Sequence, residues 1–312
     1  MATLNLATKY SPKVVDKFYK ESVVAGKTSQ EYNWDGTESI KVWTINTYAP
    51  TDYSKPANDN AISGQHKRYG NTYEVADTLQ TMTLAQDKGV SLSVDKGNNT
   101  EQMLIKNSGI VLAREIREQF VPMFDMHCLA KWSGQFGSSG TIPSWASLVQ
   151  TSNDGTSALT KSNIVGKISD GITAIRNEGT DVDDAYCYIG ETAFANLLLA
   201  NEFINYNNPA FAQRNLEKGV MGKLRGLQIV PVPDKYLKKS TSSVANNPGL
   251  TSDLHFLIVK KSAVLAPTKI KDMKVHSDPV GISGALMEIR WLYDAFALDT
   301  KAKGIYVSLV HA

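Results

Sequence analysis

The chain has 312 residues, 42% of them hydrophobic, which is enough for a substantial core in one large domain or two ordinary ones. Thirty-three basic against 31 acidic residues leave a formal charge of +2, too little for a protein whose main work is neutralising phosphates, so tight general binding of nucleic acid is not expected. Cys128 and Cys187 lack CxxC spacing, no apolar run nears the ~20 residues of a membrane span, and residues 1–9 lack the basic start and apolar stretch of a signal peptide. A disulfide framework, a cysteine zinc site and a membrane anchor are therefore not expected, and a reducing cytoplasm suits the composition.

In chain order, the first element is an amphipathic helix over Pro12–Val24, with Ser11 as N-cap and Val14, Val15, Phe18, Tyr19 and Val23 near helical spacing. Nothing around it completes a core. It reads as a terminal arm, held by a neighbouring subunit if by anything. From Ser39 the pattern alternates, with Ile40, Val42 and Thr44 on one face and Lys41, Trp43 and Ile45 on the other. A polar stretch punctuated by Pro and Gly follows to Gly70, and alternation returns over Leu79–Leu84 and Val90–Val94. Residues 39–95 thus read as one long two-stranded excursion. Two strands cannot cover their own apolar face, so the excursion needs a partner.

A long helix is expected next, from Asn98 or Asn99 to Trp132, with Leu104, Leu112, Ile116, Phe120, Phe124 and Cys128 at mostly four-residue steps. On its polar side Arg114 and Glu118 stand four apart and can pair. Pro122 removes one backbone hydrogen bond, which predicts a kink or break there. A Gly-, Ser- and Thr-rich boundary spans residues 134–155. Beyond it come a helix carrying Ile164, Ile168, Ile172 and Ile175 and ended by Gly179, a buried strand Tyr186–Ile189, a helix Glu191–Asn201, and a strand Leu227–Val232. A polar loop, Asp234–Ser252, leads into strand Phe256–Val259.

Motifs for chemistry are weak. Ala25-Gly26-Lys27-Thr28 is like the end of a phosphate-binding loop, but Glu21 stands where the first glycine belongs and no buried strand precedes it. Gly281-Ile-Ser-Gly284 is one residue short of a nucleophile elbow. His66, His127, His255, His276 and His311 are scattered without metal spacing and read as surface or interface residues. Asp181, Asp183 and Asp184 read as a solvated turn. No catalytic residue, metal ligand or cofactor site is assigned.

Three stretches carry a family resemblance: Asp95-Lys-Gly-Asn98 before the long helix, Gly219 to Pro233, and the closing block Asp253–Val310 with His255-Phe-Leu-Ile-Val-Lys, Glu288-Ile-Arg-Trp-Leu-Tyr-Asp and Lys303-Gly-Ile-Tyr306. Their wording and order resemble major capsid proteins of tailed double-stranded DNA bacteriophages, over nearly the whole chain. The resemblance implies the α+β Hong Kong 97-type capsid fold, divided as an N-terminal arm (1–38), an extended β-hairpin loop (39–95), the spine helix and first part of the peripheral domain (96–156), an axial domain (157–281) and returning strands of the peripheral domain (282–312). Strand Leu286–Leu298 is expected to pair with Gly304–Val310.

The same resemblance implies a structural protein of the virion, assembled in the bacterial host cytoplasm into pentamers and hexamers of an icosahedral shell. Its implied partners are itself, packaged double-stranded DNA touched non-specifically, and separate scaffolding, portal and decoration proteins, with no membrane and no cofactor. Subunit contacts are expected at Lys67 and Arg68 near the hairpin tip, at Arg114 and Glu118, and at Lys235, Lys238 and Lys239 in a loop facing the five-fold and six-fold axes. The type member's lysine–asparagine cross-link is not expected, because the last asparagine, Asn247, precedes the returning strand. The long N-terminal scaffolding segment of the type member has no counterpart, so a separate scaffold or none is implied. Two other readings remain: an encapsulin-like cargo compartment, and a cytoplasmic α/β enzyme with its first ninety residues folded against its own core around a deep apolar pocket.

Overall fold

Residues 22–32, 39–53, 73–101, 108–136, 144–153, 159–200 and 223–310 are described by a computed structural model of the chain. It divides into two compact units, Ser39–Thr83 and the residues on either side of that segment. The smaller unit is an antiparallel hairpin of β1 (Ser39–Ile45) and β2 (Asp77–Thr83), paired from Ser39–Thr83 to Ile45–Asp77. Its alternation matches the sequence pattern: Ile40, Val42 and Thr44 are half-buried, while Lys41, Trp43 and Ile45 are exposed. The Lys67 and Arg68 expected at the tip lie outside the described residues.

In the larger unit β3 (Gln86–Asp95) leads into α1 (Lys96–Glu101), and α2 (Ser108–Glu115) is followed by α3 (Val121–Trp132). Then come β4 (Gln150–Asn153), α4 (Ile164–Asn177), β5 (Ala185–Gly190), α5 (Glu191–Leu198), β6 (Lys223–Leu224) and β7 (Leu227–Val232). The chain closes with β8 (Leu254–Lys260), β9 (Val264–Leu265), β10 (Thr268–Ser277), β11 (Gly284–Tyr293), β12 (Phe296–Ala297) and β13 (Ile305–Leu309).

Pro122 does not break the helical run. A single π-helical turn, Ile116–Phe120, joins α2 to α3, and the Val121 amide donates to the Ile116 carbonyl five residues back. Proline has no N–H for the α-helical bond to Glu118, and widening the preceding turn by one residue lets the chain pass it at the start of α3. The four-residue stripe survives the change. Phe120 and Phe124 both stack on Trp291, at 5.7 and 5.6 Å between ring centroids.

Those aromatics cover one face of an antiparallel sheet in the order β10-β11-β3. Here the structure corrects the sequence reading twice. Residues 86–95 are not part of the hairpin, because β3 pairs with β11 from Gly284–Asp95 to Tyr293–Gln86. Nor does β11 pair with the last strand. Its sequence alternates, with Met287, Ile289 and Trp291 buried and Glu288 and Arg290 exposed, which is the pattern of a sheet covered on one side only.

The last strand, β13, has Ile305 to Ser308 buried in an unbroken run, the mark of a strand covered on both sides. It lies inside a six-stranded sheet of order β4-β13-β8-β5-β7-β6, antiparallel to β8 and parallel to β4. Alternate residues of this sheet feed two cores. Tyr188, Val230, Leu257, Val259 and Val307 pack with Cys128, Leu129 and Trp132 of α3. Cys187, Ile229, Phe256, Ile258 and Tyr306 pack with Ile164, Ile168, Ile172 and Ile175 of α4. Gly171 sits where α4 crosses Tyr306 and Ile258 so closely that a Cβ would lie 2.8 Å from the tyrosine ring. Gly179, at φ +75°, ends the helical stretch as the isoleucine spacing predicts.

Candidate assembly surfaces

The hairpin carries its own apolar surface. Trp43 is 65% exposed and lies directly opposite Leu79, with Ile45 71% exposed beside it. Beyond the ladder Tyr48 and Tyr73 stack at 5.2 Å with their rings 7° from parallel, and the Tyr48 hydroxyl donates to the Glu74 carbonyl. Seven of the fourteen exposed large hydrophobic side chains among the described residues belong to this one unit, so its apolar surface is concentrated rather than scattered.

The described part of the N-terminal arm is held by its own chain, contrary to the sequence expectation. Asp125 on α3 is 1% exposed and accepts hydrogen bonds from the Ser22 hydroxyl at 2.6 Å and the Val23 amide at 2.9 Å. Burial pushes its carboxyl above the usual range, against the pull of those bonds and of the nearby Lys27 charge. Val23 and Val24 join the core, and the Ser29 amide donates to the Val264 carbonyl. Lys27, which the sequence places in a truncated phosphate-loop motif, donates to the Val23 carbonyl and closes a local turn at Gly26, φ +77°.

Two residues further along α3, His127 is no surface histidine. Its Nε2 lies 2.8 Å from Asp294 Oδ1, and since a carboxylate only accepts, Nε2 carries the hydrogen. Asp294, 1% exposed, also accepts from the Ala85 and Ala295 amides. The edge of Tyr293 closes over the imidazole. Cys128 is fully buried between these groups, and burial, then the charges of Asp125 and Asp294, push its thiol well above its ordinary pKa.

Arg114 and Glu118 pair as their spacing predicts, at 3.5 Å across the start of the π-helical turn. The structure does not gather them with the loop lysines. Lys238 is exposed, Lys235 lies 5.7 Å from the Tyr236 ring, and Lys239 is fixed through its main chain, its amide donating to Asp253. The loop that bears them is folded down rather than free. Asn247, 1% exposed, donates to the carbonyls of Met126 and Tyr236 and accepts from the Gly249 amide, tying the loop to α3. The sequence signal for this lock is the run Asn247-Pro248-Gly249, an asparagine set before a turn-forming pair.

The outer face of the three-stranded sheet is charged. Arg290 forks onto Asp87 at 3.0 and 2.6 Å, Lys274 meets Asp272 at 2.9 Å, and His276 lies 3.5 Å from Glu288. These exposed pairs fix side-chain direction more than they stabilise the fold. An open groove of about 420 Å³ runs beside the arm, lined by Val24, Ile116, Phe124, Met273 and Trp291, and no Asp, Glu, His or Cys lines it. No cluster of three or more metal-ligating side chains occurs among the described residues, and no helix among them is long and apolar enough to cross a membrane.

No family model matches the chain, and no curated protein matches it in sequence. Solved structures do. A chain of Mycobacterium phage Che8 superposes with a TM-score of 0.68 at 13% identity, covering 98% of both chains. A chain from the capsid of cyanophage P-SCSP1u gives 0.67 at 12% identity over 98% of this chain and 93% of that one. The asymmetric unit of the bacteriophage PhiM1 mature capsid gives 0.66 at 13% identity over 97% and 91%. End-to-end superposition at such low identity is agreement of topology, and by it the chain has an α+β fold of the Hong Kong 97 type, shared with chains of these phage capsids.

Proposed function

We propose that the chain is a major capsid protein that self-assembles into an icosahedral shell around phage double-stranded DNA, and that it is a structural protein with no catalytic role. The observation that carries this reading is the coverage of the match: 97–98% of this chain aligns with chains of phage particles. The exposed Trp43, Ile45 and Leu79 support it, since a concentrated apolar surface on a separate hairpin suits burial against another copy. Of the division expected from the resemblance, residues 157–281 are proposed as the axial domain in their α4, α5 and β5–β8 part. Strand β10 pairs instead with β11, and β4 and β13 join the six-stranded sheet, so these three strands are proposed to change sides. Lys67, Arg68, Arg114, Glu118, Lys235, Lys238 and Lys239 are proposed contacts between subunits, with Lys238 the most exposed of those described.

Closure of identical subunits into rings of five and six supplies the geometry. The small net charge suits a shell that confines DNA without gripping it. Expression in a bacterial host with and without a candidate scaffolding protein, followed by electron microscopy, tests the proposal. Closed shells are expected; monodisperse monomers under every assembly condition overturn it. Shells that protect co-expressed protein cargo and exclude DNA would point instead to an encapsulin-like compartment.

A further inference from the structure

We infer that one turn of α3, Asp125–Cys128, couples the root of the N-terminal arm to the chain that leaves the hairpin, through two buried carboxylate clamps that share this turn. The first clamp is Asp125, which holds the arm by the Ser22 hydroxyl and the Val23 amide. The second is Asp294, which holds the Ala85 amide, two residues past the end of β2, and is itself set by His127 Nε2. Asp125 and His127 flank Met126, whose carbonyl accepts from Asn247, so the turn is pinned by a third contact.

The clamps are joined on their inner side by close packing, away from the open groove beside the arm. Cys128 is 0% exposed, Tyr293 sits edge-on to both Phe124 and His127, and Phe124 stacks on Trp291. Interiors of this density transmit displacement, because a side chain that shifts must push a neighbour out of its rotamer. A small rotation of α3 that draws Asp125 away from the arm also moves His127 relative to Asp294. Neither clamp requires a charge on the imidazole; the tautomer with hydrogen on Nε2 suffices. Both clamps are intramolecular, so the inference holds for the isolated chain whether or not it builds a shell. Within a shell, it makes loosening of the arm root at Ser22–Val23 and of the chain at Ala85 a single event.

The test is amide hydrogen exchange on the full chain, because the probes are themselves the clamped groups. The Val23 amide reports the first clamp and the Ala85 amide the second. Ser22→Ala removes one bond to Asp125 while leaving every residue of α3 unchanged. It is expected to speed Val23 exchange about fivefold, the loss of one ordinary hydrogen bond, and Ala85 exchange about threefold. His127→Phe keeps a ring against Tyr293 but loses the donor, and it should speed Ala85 directly and Val23 by the same coupling factor, since coupling is reciprocal. His127→Gln, which retains a donor, should restore most of the protection. The Leu257 amide in the central strand β8 serves as control. Acceleration confined to the mutated clamp in both variants overturns the inference, as does a uniform rise that includes Leu257, because clamps on one turn predict a local effect.

Discussion

Replacing Trp43 with alanine separates the stability of the chain from its assembly. Trp43 is 65% exposed, so its truncation should change the unfolding free energy by no more than about 0.5 kcal/mol. Its worth would appear on docking against another copy. A tryptophan side chain offers ~200 Å², so burying the exposed two-thirds removes ~130 Å² from water, about 3 kcal/mol at ~25 cal/mol per Å². That corresponds to about a hundredfold weaker contact per hairpin. Leu79 opposite shares this surface, and the ordering cost of docking sets the figure as a ceiling. Guanidinium unfolding of the unassembled chain gives the first quantity, and light scattering against protein concentration, with electron microscopy of the product, gives the second. Trp43→Ala chains that assemble at the wild-type concentration would refute the reasoning, and so would a variant whose fold is weakened as much as its assembly.

Three further outcomes follow from single residues. Asn247→Ala leaves the carbonyls of Met126 and Tyr236 without their donor and should cost about 2–3 kcal/mol in chemical unfolding, with faster proteolysis of residues 234–252. Asp125 has its carboxyl raised by burial, so the folded chain binds a proton more readily than the unfolded one. Its contribution to stability is therefore full below the usual carboxylate range and declines as pH rises through that range to the raised value. Asp125→Asn should remove this decline from the pH profile of thermal unfolding, and an unchanged profile would contradict the assignment. Cys128 and Cys187 are both fully buried, with their thiols pushed up by burial, and should react with a thiol reagent only on unfolding. Reaction in native buffer at the rate of a free thiol would show that the core opens locally.

Elements with a local signal are legible in the chain alone. Isoleucine at four-residue spacing before Gly179, alternation over Ser39–Ile45, and the apolar runs Tyr186–Ile189, Leu227–Val232 and Phe256–Val259 all form the helices and strands expected of them. Arg114 and Glu118 pair because helix geometry alone brings them together. Strand pairing was beyond that reach. Alternation in β3 announces a covered face but does not name the neighbour, and only the packed sheet assigns β3 to β11 instead of to the hairpin.

The clamps were hidden for the same reason. Ser22 is separated from Asp125 by 103 residues and His127 from Asp294 by 167, and no periodicity spans such distances. Burial decides which polar side chains must find partners, and burial is a property of the assembled layers. Local pattern wrote the strands and helices of this protein; the tertiary structure chose their neighbours, because a buried face or carboxylate is satisfied by whatever the fold brings against it.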